Sequence, residues 1–138
     1  MGTPEQTLAA LRTGLETALP TRIVRRDFRP LAQCKAADLV TGILTLVNRG
    51  ERDYANYLGR EAQLGTLDVL LIGQLKVADT AAPLAIEQAE LALAEEVKGF
   101  LQAPAPAGVT ECLAQSFAQS GQLEAPFGWV IFELEVRG

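Results

Sequence analysis

The side chains that most often carry enzyme chemistry are scarce in this sequence. The 138 residues include no histidine, which removes the commonest general base and the commonest metal ligand. The two serines, Ser116 and Ser120, lie outside any Gly-x-Ser-x-Gly elbow. The glycines form neither a Gly-x-x-x-x-Gly-Lys-Ser/Thr loop nor a Gly-x-Gly-x-x-Gly turn. We therefore predict a protein without catalytic residues, with an enzyme that works through carboxylates or lysine as a remaining alternative.

The two cysteines are the other residues with chemical potential. Cys34 and Cys112 lie far apart in the sequence and form no metal-ligand pair. Their spacing is typical of isolated, buried or half-buried thiols in a reducing compartment. We therefore expect no bound metal and no cofactor.

Composition and charge limit the class of protein further. Hydrophobic residues make up 49% and charged residues 21% of the chain, as in ordinary globular proteins. The length fits one compact domain, residues 1–138. No apolar run approaches the roughly 18 residues of a membrane span, and residues 1–5 lack the features of a secretory signal. The net charge of −5 speaks against specific nucleic-acid binding, which positive surfaces usually drive.

Two segments have apolar residues at three- and four-residue steps, which is typical of amphipathic helices. These segments span residues 4–19 and 83–102, and each begins with a proline, which suits the first turn of a helix. Pro20 ends the first segment. The glutamates of the second helix are interpreted as a solvated face: Glu87, Glu90, Glu95 and Glu96.

Five other segments have the alternation or the β-branched content of strands. They span residues 21–28, 38–48, 64–77, 109–118 and 128–137. The element order is therefore α-β-β-β-α-β-β. This order predicts an α+β fold, with a mostly antiparallel mixed sheet and two helices packed on one of its faces.

Residues 21–28 and the position after them are rich in arginine. The four arginines are Arg22, Arg25, Arg26 and Arg29. One interpretation is a patch for phosphate or for an acidic partner. The other is an exposed edge strand whose charges discourage aggregation between sheets.

The connection between the second and third predicted strands, residues 49–61, is longer than a turn requires. Long connections in compact domains tend to be functional, and tyrosine and arginine are enriched at protein interfaces. We therefore expect this hairpin tip to contact other protein subunits. The alternative is that the two strands simply extend further. The candidate contact residues are Arg49, Arg52, Tyr54, Tyr57 and Arg60.

Size, element order and the texture of several elements together resemble the tail terminator proteins of long-tailed bacteriophages, the lambda-type minor tail protein U group. The resemblance covers nearly the whole chain and has no short defining motif. It rests on the opening helix that ends in Ala18-Leu19-Pro20, the hairpin tip around Tyr54, Tyr57 and Arg60, the strand of residues 67–73, the alanine-rich helix of residues 85–100 and the closing strand of residues 128–136.

This resemblance implies a structural virion protein, made in the cytoplasm of a bacterial host and located in the phage tail. It implies a ring, hexameric in that family, that caps the finished tail tube and presents a surface to head-completion proteins. A symmetric ring needs one patch that meets a different patch on the next subunit. The hairpin tip and the arginine-rich segment are the candidate patches. The alternatives are another head–tail joining or neck protein, and a regulatory α/β domain that binds a small ligand.

Overall fold

The computed structural model describes residues 3–54 and 65–138. Its strands form a five-stranded sheet in the order β1-β2-β3-β5-β4, in which β1 and β2 are parallel and all other neighbours are antiparallel. The predicted fold class and element order are confirmed. The elements are α1 (Pro4–Ala18), β1 (Ile23–Arg25), a 3-10 turn (Leu31–Gln33), α2 (Ala36–Thr41), β2 (Ile43–Arg52), β3 (Thr66–Lys76), α3 (Pro83–Gln102), β4 (Glu111–Gln119) and β5 (Phe127–Arg137).

The two long helices begin and end close to the predicted residues. A capping box starts α1: the Gln6 backbone N–H donates to the Thr3 hydroxyl at 3.2 Å, and the Thr3 N–H donates to the Gln6 side chain at 2.8 Å. Pro4 occupies the first turn. The second long helix, α3, spans the predicted residues 83–102.

The hydrophobic core lies between these helices and one face of the sheet. Leucines of α1 and apolar residues of α3 belong to the same buried cluster as alternate residues of β3 and β5. Gly73 allows this close approach, because a Cβ atom there would lie 2.7 Å from Val130 and 2.8 Å from Leu93. Both long helices therefore pack on one face, called here the inner face; the opposite one is called the outer face.

The prediction of one strand over residues 38–48 is wrong for its first part. Residues 36–41 form the short helix α2, which ends at Gly42 with φ +95°. A glycine in this left-handed region ends a helix without a Cβ penalty. Within this helix, Leu39 is buried and Val40 is exposed. At its other end β2 runs on to Arg52, so residues 49–52 belong to a strand, as the alternative for this segment held.

The interpretation of the α3 glutamates as one solvated face is wrong for Glu90. This residue is 0% exposed. Its carboxylate accepts hydrogen bonds from the Ser120 hydroxyl, the Trp129 backbone N–H and the Gln119 side chain. These donors lie at the end of β4, just after it and near the start of β5, so this part of the sheet covers that turn of the helix.

The outer face is covered at one end only among the described residues. The segment from Phe28 to α2 lies over that end, where Gln74 of β3 is 3% exposed and donates a hydrogen bond to the Arg29 carbonyl at 2.9 Å. The other end is where β2 finishes and β3 begins, and it is called here the hairpin end. The candidate site lies there.

Candidate assembly surface

Arg52 organises the outer face at the hairpin end. It is the last residue of β2 and pairs in the sheet with Thr66. Its Nε atom donates to both carboxylate oxygens of Asp68 on β3, at 3.0 and 3.1 Å. Its other nitrogens bond the carboxylates of Glu135 on β5 and of Asp53. The hydrogen bonds that Arg52 donates to Asp68, and then to Glu135, raise the pKa of Arg52, so the guanidinium stays charged.

The row of charges continues towards β4. Arg137 of β5 donates from Nε to the Thr66 hydroxyl at 3.1 Å and lies 3.8 Å from the Glu111 carboxylate. Charges of both signs therefore lie side by side across the strands β2, β3, β5 and β4. We call this set of charged residues the charge row; its members are Arg52, Asp68, Glu135, Arg137 and Glu111.

A shallow concavity of about 380 Å³ lies beside the charge row. Arg49, Glu133 and Gln115 line it together with three members of the row. In the described part of the chain, Arg49 is exposed and forms no ion pair, and no group of His, Cys, Asp or Glu could hold a metal ion. A concavity lined by charges of both signs is better suited to contact a protein surface that also carries both charges than to bind an apolar small molecule.

Tyr54 follows the charge row towards the hairpin tip. Its side chain is 48% exposed. A hydrogen bond to Glu51, followed by the negative charge of that residue, raises the pKa of Tyr54, so the phenol keeps its proton. The structure thus brings Arg49 and Arg52 to one concavity at the hairpin end, and Tyr54 lies two residues beyond Arg52. The other two predicted contact residues, Tyr57 and Arg60, lie outside the described residues.

The arginine-rich segment lies at the opposite end of β2. Arg22 donates to the Glu96 carboxylate on α3 at 3.0 Å and to the Thr41 carbonyl at 2.8 Å. The hydrogen bond to Glu96 raises the pKa of Arg22. These contacts fix the end of α2 beside α3, because one guanidinium reaches both.

The neighbouring arginines also make contacts within the chain. Arg25 pairs with Asp38 of α2 at 3.0 Å and Arg26 with Glu5 of α1 at 3.2 Å, while Arg29 offers its backbone carbonyl to Gln74. Since β1 is an edge strand of three residues, the segment fits the edge-strand interpretation. It is not continuous with the hairpin end.

The cysteines lie as predicted, free and half-buried. Burial raises the pKa of the Cys112 thiol to about 11. A thiol that keeps its proton at neutral pH is a poor nucleophile. Cys34 faces the Arg29 and Pro30 carbonyls, at 3.5 and 3.4 Å from its Sγ atom.

Sequence reasoning missed the acidic half of the surface. Asp68, Glu133 and Glu135 occupy alternate outer-face positions of β3 and β5, which are neighbours in the sheet. Their alternation with buried residues is visible in the sequence. Their proximity to Arg52 is not, because it depends on the pairing of β2 with β3 for Asp68 and of β3 with β5 for the two glutamates.

Comparison of the chain with models of known protein families gave no match, and comparison with curated proteins gave no significant match. Within the described residues, no helix has the length and the apolar character needed to cross a membrane.

Proposed function

We propose that this protein is a structural component of a phage or prophage virion, a tail terminator that acts by assembling into a ring. The ring, with six subunits, caps the tail tube at its final length and presents its other side to a head-completion protein. The observation that carries the proposal is the charge row at the hairpin end, a two-signed surface beside which Arg49 and Tyr54 remain exposed.

The outer face has the anatomy of a protein interface. Half-buried Val47, Leu70 and Ile131 lie towards its middle, and charged residues surround them at the hairpin end. An apolar centre within a polar rim is the usual arrangement of protein–protein contacts. Complementary charges of both signs set the register between partners rather than supplying most of the affinity.

The chemistry of the chain supports a non-catalytic role. The described residues offer no metal cluster, the chain has no histidine, and the Cys112 thiol has a raised pKa. Shape and charge complementarity are then the mechanism: one side of the ring stacks on the last tube ring and the other prevents further addition. The partners are other copies of the chain, the tube protein and the head-completion protein, and the location is the virion tail.

A small-ligand-binding domain is the second candidate, and one cleft favours it. Phe28, Leu31, Ile72, Trp129 and Ile131 line a cleft of about 240 Å³ on the outer face near α2. Ligand sites usually enclose roughly 300–1,000 Å³, so this cleft is small for such a role. Dimers that bind a small apolar molecule, with no larger assembly, would support this candidate instead.

The direct test is to mix the purified protein with tail tubes of the phage that encodes it and to image the mixture by electron microscopy. We expect rings at one end of each tube. Arg49→Glu reverses an exposed charge at the hairpin end and is expected to abolish capping. Lys35→Glu, which reverses an exposed charge at the other end of the outer face, is the matched control and is expected to leave capping unchanged. Bare tube ends with the wild-type protein would contradict the proposal.

A further inference from the structure

We propose that the sheet continues from one copy of the chain to the next, through an antiparallel junction between β4 and the last seven residues of β2. This inference rests on the proposed function only in requiring assembly. It names the two surfaces that meet, and both are backbone edges of the same sheet.

The first surface is the free edge of β4. Within the described chain, β5 is its single strand neighbour. Residues 113–116 are exposed, with Leu113 at 47%. The nine residues of this strand contain one charged side chain, Glu111, and no lysine or proline. Natural proteins usually protect a long edge strand with such residues or with a bulge, and this strand has only the register shift between Ala114 and Ser116 among its described features of that kind.

The second surface is the free edge of β2 near the hairpin end. The short strand β1 pairs only with Ile43, Leu44 and Thr45. Residues 46–52 therefore have no strand neighbour on that side among the residues that the structure describes. A register shift between Asn48 and Gly50 marks a bulge at Arg49, which is where the exposed guanidinium leaves the sheet.

The two edges lie at the same level of the sheet. Following the pairing across the strands, Val47 is opposite Leu70, Leu70 is opposite Glu133, and Glu133 is opposite Ser116. One level further, Asn48 aligns through Val69 and Leu134 with Ala114. A second copy placed beside the first, without a shift along the strands, therefore brings β4 next to residues 46–52 of β2.

The strand directions suit this junction. Successive antiparallel pairs make β2 run in the same direction as β5 and opposite to β4. A neighbouring copy in the same orientation therefore offers β2 antiparallel to β4. Antiparallel pairing has the better hydrogen-bond geometry, and it satisfies backbone groups on both edges at once.

A second copy is the occupant that the surfaces favour. Two different edges on one chain form a heterologous interface, and such an interface closes into a ring when the rotation between copies allows it. The charges agree. Glu111 is the one charged residue of β4, and residues 46–52 of β2 carry two arginines and one glutamate, Arg49, Arg52 and Glu51, so the junction brings opposite net charges together.

Cross-linking between two differently labelled populations tests the junction. In a chain with Cys34→Ala and Cys112→Ala, one population carries Ser116→Cys and the other Val47→Cys. The mixed populations, and each population alone, are treated with a short bis-maleimide. The length of this reagent tolerates a small shift in the register between the two strands. Circular dichroism first establishes that each variant is folded. We expect cross-linked dimers when the populations are mixed, and few when either is treated alone.

A second measurement uses matched charge insertions. Ala114→Lys places a charge on the β4 edge, and Ala92→Lys places the same charge on the exposed side of α3. We expect equal melting for the two variants, and loss of the assembled species in light scattering for Ala114→Lys alone.

The outcomes separate this inference from the proposed function. Efficient cross-linking of the Ser116→Cys population with itself would replace the junction by a symmetric β4–β4 dimer and overturn the inference. Rings in electron micrographs, without cross-links between the mixed populations or with assembly intact in Ala114→Lys, would overturn the junction and leave the ring. Absence of any assembly, on tubes or in solution, would defeat both.

Discussion

Glu90 is a fully buried carboxylate whose hydrogen-bond donors lie at the end of β4, in the connection that follows it and near the start of β5. The Trp129 N–H donates at 2.9 Å, the Gln119 side chain at 3.3 Å, and the Ser120 hydroxyl also donates. A buried charge is tolerated when several donors satisfy it. Glu90 therefore anchors this connection to α3.

Glu90→Ala should lower the free energy of unfolding by about 3 kcal/mol, because it leaves buried donors without an acceptor. Glu95→Ala, at an exposed position of the same helix, should change it by less than about 0.5 kcal/mol. Urea denaturation of both variants measures the difference. Equal small losses would show that Glu90 is accessible to water.

Replacing Phe132 tests whether this residue lies on the buried inner face of β5. It is 2% exposed and stacks on Phe117 with ring centroids 5.1 Å apart. Phe132→Ala should therefore cost about 3–5 kcal/mol, as for other large buried aromatic residues. The adjacent Glu133 is exposed on the outer face, so Glu133→Ala should cost far less. Similar losses for the two variants in denaturant melts would contradict the assignment of the faces.

The free energy of unfolding should depend on pH through the thiol of Cys112. Burial raises the pKa of its thiol from 9.0 to about 11. Below pH 9 the thiol is neutral in both states, and between pH 9 and 11 the unfolded chain ionises while the folded chain does not. Stability should therefore fall over this window by an amount on the order of 2 kcal/mol. Cys112→Ala should lack this component. Parallel pH dependences of the two proteins in denaturant titrations would show that the thiol is solvated.

Among the elements, the β2–β3 hairpin links the fold to the proposed assembly. Its strands pair out to Arg52 and Thr66, and Arg52 ties it to β5 through Glu135. The side chains that this end of the hairpin exposes include Arg49 and Tyr54. The hairpin is therefore held in place by the sheet while part of its surface remains available.

Replacing Arg52, Tyr54 and Tyr57 together by alanine should leave the chain folded and abolish the ring. The reason is that Tyr54 is 48% exposed and the Arg52 side chain 42% exposed, so the ion pairs lost are surface pairs that contribute little to stability, whereas the core lies on the inner face. Thermal melts and particle mass by light scattering measure the two properties separately. Normal assembly by the triple variant would show that the hairpin end is only a solvated surface.

The sequence predicts those elements whose signals are local. Apolar stripes and prolines mark α1 and α3, and alternation marks β3 and β5. The helix α2 is missed, because Leu39 and Val40 resemble the strand that follows and only Gly42 separates them. Glu90 is missed because its burial depends on a connection about 30 positions away. Arg49, Arg52 and Tyr54 are found through residue type, while Asp68 and Glu135 become their neighbours only through strand pairing.

At the scale of the whole molecule, the two faces of the sheet have different roles. The inner face and both long helices make the core, and the outer face exposes a charge row and an apolar middle. The open edges lie at the same end of the sheet as the charge row. This division leaves a folded subunit with two different open edges, one at β2 and one at β4, and head-to-tail assembly joins two such different surfaces.

Whether this chain terminates phage tails is best tested by the length distribution of the tails. Tails are measured by electron microscopy after the gene for this chain is inactivated in the phage or prophage that encodes it, and again after the wild-type chain is supplied. If the chain is a tail terminator, we expect tails of variable, extended length without attached heads in its absence. Complementation should restore uniform length and complete particles. Tails of normal, uniform length joined to heads in the absence of the chain would contradict it.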